Sequence, residues 1–230
     1  YDDCYKGKAD IKNVTFKIIP DPNTSDVALE SGDVDFSIVS EASVKKAKES
    51  GKLELVQCSD GSVTYVIMNT TMEPYNNKYF RQAVNYAIDR DFIVEAATEG
   101  IAKPTSLMIT PEMFGYPEDT KLYDYNPEKA KECLEKSGLQ LPIKIGKIQC
   151  WEGHYTTVAE AIQSDLAKVG IETEVEIVEK NTFLENAFGG TYEIGIMGFI
   201  FGGDANACGA AYSSAGLDAF NMARWTSPEV

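Results

Sequence analysis

The residues whose types and spacing could support chemistry fall in two neighbourhoods. The first runs from Gln149 through Cys150 and Trp151 to His154 and Tyr155, and it contains the only histidine of the 230-residue chain. The second is FGGDANA, residues 201–207, with Asp204 on a glycine-flanked stretch. A thiol nucleophile needs an imidazole to take its proton, and a four-residue spacing would let Cys150 and His154 meet on a helix. Gly153 stands between them and the stretch reads as loop, which argues against a catalytic pair. The same two side chains supply at most half of a structural zinc site, which usually takes four. Gly202-Gly203 lacks the GxxxxGK frame of a phosphate loop and a helix to follow it. The expectation is therefore no enzyme, no metal and no cofactor.

Binding is the better use of these residues. Trp151 can offer a flat apolar wall and Tyr155 a hydroxyl. An apolar run over 192–201 reads as a buried strand ending at Phe201, and Asp204 follows just beyond it, where ligands of α/β folds collect. Gly203 allows close approach of backbone and ligand. Two plainer alternatives stand beside this: Trp151 covers the edge of the core, and Asp204 is a turn residue bonding its own backbone.

Those residues need elements to hold them. The clearest are two helices meeting at an elbow over 80–100. Phe80, Val84, Ala87 and Ile88 recur at helical spacing, Asp89 is placed to cap the second helix, and Gly100 stops it. Before them, 14–19, 34–38 and 53–57 read as strands, separated by helices over about 24–31, capped by Asn23 or Thr24, and 43–50. This β-α-β-α-β order predicts parallel neighbours with right-handed crossovers. The chain then passes at about Gly61 to another region: a strand over 63–68, the elbow, a long irregular stretch over 101–125, and a helix opened by Asn126-Pro127 and stopped by Gly138. Last come a strand over 141–148, a loop over 149–155, a helix over 157–169, a half-exposed strand over 172–178, a short helix over 182–188 and the apolar strand.

With 43% hydrophobic residues the chain can build a core, and its formal charge of −15 argues against a nucleic-acid surface. No apolar run reaches the roughly 18 to 20 residues of a membrane helix. The five scattered cysteines show no CxxC spacing; most read as small buried hydrophobes, with one disulfide open as a possibility. A start at Tyr1, with no methionine, signal stretch or lipobox, reads as an excised or processed segment.

Several stretches together resemble a known family. Asn69 followed by RQAVNYAIDR at 81–90, IIPD and ALESGDVDF within 14–36, NPEKAKECLEKSG at 126–138 and AEAIQSDLAKVGIETEVEI at 159–177 resemble the peptide and nickel class of extracytoplasmic solute-binding proteins that serve ABC importers. The resemblance implies an α/β, periplasmic-binding-protein-like (type II) lobe with a mixed sheet flanked by helices, truncated at both ends. Residues 1–60 would be a returning segment of the first lobe and 61–230 the second lobe. It further implies a monomer that closes on a peptide or other small solute, docks on ABC permease subunits, and works in the periplasm or as a cell-surface lipoprotein, with any membrane anchor outside this sequence. In such proteins an aromatic and an aspartate stand where Phe201 and Asp204 stand here, the acid pairing with the ammonium group of a bound peptide.

Two departures qualify this. Dipeptide-binding relatives tend to carry an arginine near the aromatic at Trp151, to receive a carboxylate; here Gln149 precedes it, so a longer peptide, a capped one or another solute becomes more plausible. Ala205 replaces a proline that often follows the acid. The remaining alternatives are a sensory module of the same fold and, last, a hydrolase using Cys150 and His154.

Overall fold

Most helices of this chain begin where a short polar side chain can reach back to the free N–H groups of the first turn. The computed structural model describes residues 5–117, 123–200, 208–217 and 219–227. Asp21 caps α1 (Pro22–Ser31) by accepting from the Thr24 N–H at 2.8 Å, so the cap lies two residues before the expected Asn23. Asn77 caps α3 (Lys78–Ala87), Asp89 caps α4 (Arg90–Thr98), Asn126 caps α5 (Pro127–Ser137) and Glu179 caps α7 (Lys180–Gly189). Gly32, Gly51, Gly138 and Gly190 end their helices in the left-handed conformation that a Cβ disfavours.

The chain divides into two compact units, Tyr1–Val56 and Gln57–Val230. The first contains α1 and α2 (Glu41–Ser50), joined where the buried Asp26 accepts the Ser40 hydroxyl at 2.6 Å. The runs at 14–19, 34–38 and 53–57, expected as strands, form no strand among the described residues. Many of their apolar side chains are exposed, Phe16 and Ile18 both at 90% and Ile38 at 89%. A strand is completed by a neighbour's N–H and C=O groups, and alternation of side chains alone does not supply one.

The second unit is built on a mixed four-stranded sheet in the order β1-β6-β3-β5. Here β1 is Ser62–Met68, β3 Ile148–Cys150, β5 Val175–Ile177 and β6 Ile194–Ile200. β6 runs antiparallel to β1, with Ser62 opposite Ile200 and Met68 opposite Ile194, and parallel to β3, which is parallel to β5. A separate parallel pair joins β2 (Ile143–Lys144) to β4 (Ile171–Glu172). One face carries α6 (His154–Lys168) and the helices behind it, around Phe80, Val84, Leu134, Ile148, Ile162, Leu166, Ile194 and Ile196. The other carries α7, around Ile67, Phe183, Tyr192, Met197 and Met222.

Two expected strands are each broken. The 141–148 run splits into β2 and β3, and 172–178 into β4 and β5, because side chains claim the backbone between them. Gly146 donates its N–H to Glu193 Oε2 at 3.0 Å, while its carbonyl accepts the Thr173 hydroxyl and the Thr173 carbonyl accepts Gln163 Nε2, both at 2.7 Å. The helix expected over 157–169 begins three residues earlier, at His154. No helix among the described residues is long and apolar enough to cross a membrane. Cys58, Cys133, Cys150 and Cys208 are free thiols.

Candidate functional site

The parallel strands β3 and β6 both point their C-terminal ends toward the first turn of α6. β3 ends at Cys150, Trp151 follows, and Gly153, at φ 110°, turns the chain into the helix. That φ is open to glycine and strained for other residues. The turn stacks three rings. Trp151 lies 4.2 Å from Tyr155 and 5.1 Å from Phe183, the latter at a steep 67°, and Tyr155 lies 3.9 Å from the ring of His154. Lys180 Nζ approaches the Trp151 ring to 5.8 Å, within cation–π range. His154 Nε2 sits 3.5 Å from the Thr64 hydroxyl on β1. The result is an aromatic shelf beside the end of β6, held by β1, β3, α6 and α7.

Trp151 and Tyr155, expected to serve together, are thus brought into contact. Tyr155 and His154 belong to a helix, not to a loop. On the opposite face of β1, Tyr65 has its phenol pushed up to about 12, chiefly by burial and further by Cys208 and Tyr155. Burial raises the Tyr212 phenol in the same way.

Gln149 is hydrogen-bonded within the sheet and to the helix beside it. Along β3, Ile148 and Cys150 face the α6 core, so pleat alternation turns Gln149 toward α7. Its Nε2 donates to Glu176 Oε2 at 2.9 Å and its Oε1 accepts from Asn186 Nδ2 at 3.3 Å. Both ends of the amide are engaged inside the protein, tying β5 to α7 across β3. The residue ties these elements together.

Cys150 is fully buried and its thiol is pushed up, first by burial, whereas a nucleophile needs the thiolate favoured. His154 packs against Tyr155 and Thr64.

Phe201, Gly203 and Asp204 lie outside the described residues; in sequence they follow directly on β6. Three neighbours of the shelf escaped the sequence reading. Gly198 is, with Gly195, one of two glycines in the apolar strand β6, and a strand glycine signals close approach of another group. Phe199, 5.8 Å from Phe220, extends the aromatic surface on the α7 side, a position alternation along β6 could have given. Lys180 carries no local signal.

The family model of bacterial extracellular solute-binding proteins, family 5 Middle, matches residues 1–216. The chain is 27% identical over 237 residues to heme-binding protein A of Haemophilus influenzae, covering 100% of this chain and 43% of that protein. It is 30% identical over 199 residues to the oligopeptide-binding protein AppA of Bacillus subtilis, covering 80% of this chain and 37% of that one. The crystal structure of the ABC transporter substrate binding protein CtaP from Listeria monocytogenes superposes with a TM-score of 0.90 at 23% identity, over 100% of this chain and 48% of that one. At that identity the likeness establishes the fold, a periplasmic-binding-protein-like (type II) α/β architecture. The chain spans less than half the length of each of these three proteins.

Proposed function

This chain belongs to the bacterial extracellular solute-binding proteins of family 5, and on that premise we propose that it serves as the substrate-binding component of an ABC importer, capturing oligopeptides or a related solute. In this reading residues 1–60 return through one lobe and 61–230 form most of the other, and the intact protein is the one that closes on the solute like a hinged trap. The protein acts outside the cytoplasm as a monomer, in the periplasm or as a lipoprotein on the cell surface, and delivers its cargo to permease subunits.

The observation that carries the reading is the aromatic shelf of Trp151 and Tyr155 at the ends of β3 and β6, directly preceding residues 201–207. A ring wall receives side chains of many shapes through area and van der Waals contact, which suits a binder of varied peptides. Asp204 anchors a positive group, the ammonium of the peptide. Gln149 stands near Trp151 where dipeptide-binding relatives tend to carry an arginine for a free carboxylate, so longer or C-terminally capped peptides are favoured over dipeptides. The relative named as oligopeptide-binding supports a peptide; the one named for heme makes heme the competing solute to test.

The anchor is tested by titrating Asp204→Ala in the full-length gene product with pentaalanine and with its N-acetylated form. Loss of a buried partner to a charged group typically costs about 2–5 kcal/mol. The variant is expected to lose most of its affinity for the free-amine peptide and to stop discriminating between the two. Equal affinity of wild type and variant for pentaalanine would remove Asp204 from the site.

A further inference from the structure

β6 alternates between the two faces of its sheet, and the positions facing α6 are Ile194, Ile196 and Gly198. The first two carry large side chains that are fully buried in the core, yet the third, opposite Thr64, carries none. Backbone conformation does not demand it, because Gly198 is not among the chain's positive-φ glycines. What occupies the space is the phenol of Tyr155. A Cβ placed on Gly198 would stand 2.5 Å from the Tyr155 hydroxyl oxygen, 3.4 Å from Cζ and 3.5 Å from Cε1. The hydroxyl is the group in conflict; the two ring carbons lie near ordinary contact distance.

Tyr155 is also the middle ring of the shelf, 4.2 Å from Trp151 and 3.9 Å from His154. Its position therefore sets where the other two rings stand at the mouth of the sheet. We infer that Gly198 is a positioning residue of the solute site: the missing side chain seats the Tyr155 hydroxyl over β6, and the seated ring holds Trp151 in place as the wall that the solute meets. This rests on the solute-binding reading proposed above and adds to it the residue that fixes the wall.

A larger residue at 198 would leave the fold standing. The clashing atom is the far end of a side chain that can swing away, and alanine fits an extended strand at least as well as glycine does. The displaced ring would instead disturb the shelf. The conflict is with the hydroxyl alone, so removing that hydroxyl should cure it.

The test uses the full-length gene product as wild type, Gly198→Ala, Tyr155→Phe and the double variant, with pentaalanine as the probe. One readout is free of ligand: the indole N–H resonance of Trp151, assigned by its absence in Trp151→Phe. The other is the dissociation constant for pentaalanine. Gly198→Ala is expected to move the Trp151 resonance and weaken binding by about tenfold or more, while unfolding midpoints stay close to wild type. Adding Tyr155→Phe to Gly198→Ala is expected to return both readouts to those of Tyr155→Phe alone, a rescue that a merely structural glycine would not show.

An unmoved resonance in Gly198→Ala overturns the inference, as does a double variant that binds no better than Gly198→Ala. If wild type takes up no pentaalanine, the peptide reading falls. The resonance pattern then still decides whether Gly198 places the ring.

Discussion

Asn69 has 0% of its surface exposed and uses its whole amide. Its Nδ2 donates to the carbonyls of Gly190 and Tyr192 at 3.0 and 3.1 Å, and its Oδ1 accepts the N–H and hydroxyl of Thr71 at 3.2 and 2.7 Å. The end of β1 is thereby bonded to the turn between α7 and β6. Thr70 beside it bonds the Ala223 carbonyl through both N–H and hydroxyl, each at 2.9 Å, and so ties in the late segment that buries Met222. An asparagine that opens a family-like stretch thus serves packing. Truncating it would leave the buried Tyr192 carbonyl and the part-buried Gly190 carbonyl without their amide donor, at roughly 1–3 kcal/mol for each group not rescued by water, while the N–H of the exposed Thr71 can turn to solvent. Asn69→Ala is accordingly expected to lower the unfolding free energy by about 3 kcal/mol in a urea titration; a loss under about 1 kcal/mol would mean those groups find other partners.

At the scale of elements, α3 and α5 pack closely and share Phe80, Val84, Ala130 and Leu134, all at most 1% exposed. Leu134→Ala is expected to cost about 2–5 kcal/mol as a cavity in this layer. Phe114→Ala, at a residue 81% exposed, is expected to fall within about 0.5 kcal/mol. Chemical denaturation of the two variants side by side checks the contrast, and similar losses would place the core elsewhere. Helices such as α4 and α5 were legible in the sequence because their signals are local: Asp89 and Asn126 at the starts, glycine at or just after the ends, and apolar residues at 3.6 spacing. The start of α6 was misplaced because Gly153 has no side chain with which to cap it. Strand runs at 14–19 and 34–38 were readable as patterns but not as strands, since pairing is a property of two segments. The broken strands were hidden for a related reason. Glu193 and Gln163, which reach the interrupting stretches, lie 47 residues from Gly146 and 10 residues from Thr173. In the site, Trp151 and Tyr155 could be chosen by residue type, whereas the engagement of Gln149 by Glu176 and Asn186, and the seat at Gly198, exist only once β3, β5, β6, α6 and α7 are assembled.

At the scale of the whole molecule, membership of the solute-binding family fits an aromatic shelf at the ends of the strands. A binder needs walls, a few charged anchors and a means of release, and none of these requires an activated nucleophile. The buried Cys150, with its thiol pushed up, fits that picture, as does an imidazole packed on Tyr155. Capture of a peptide is the property on which the proposed function rests. Its most direct test is a calorimetric titration of the full-length gene product with pentaalanine, run beside heme and nickel. The account predicts saturable binding of the peptide with one site per chain, and a ligand present at a hundred times its dissociation constant should then add roughly 2.7 kcal/mol to the stability of the fold. Heat from heme or nickel alone, with none from the peptide, would contradict it.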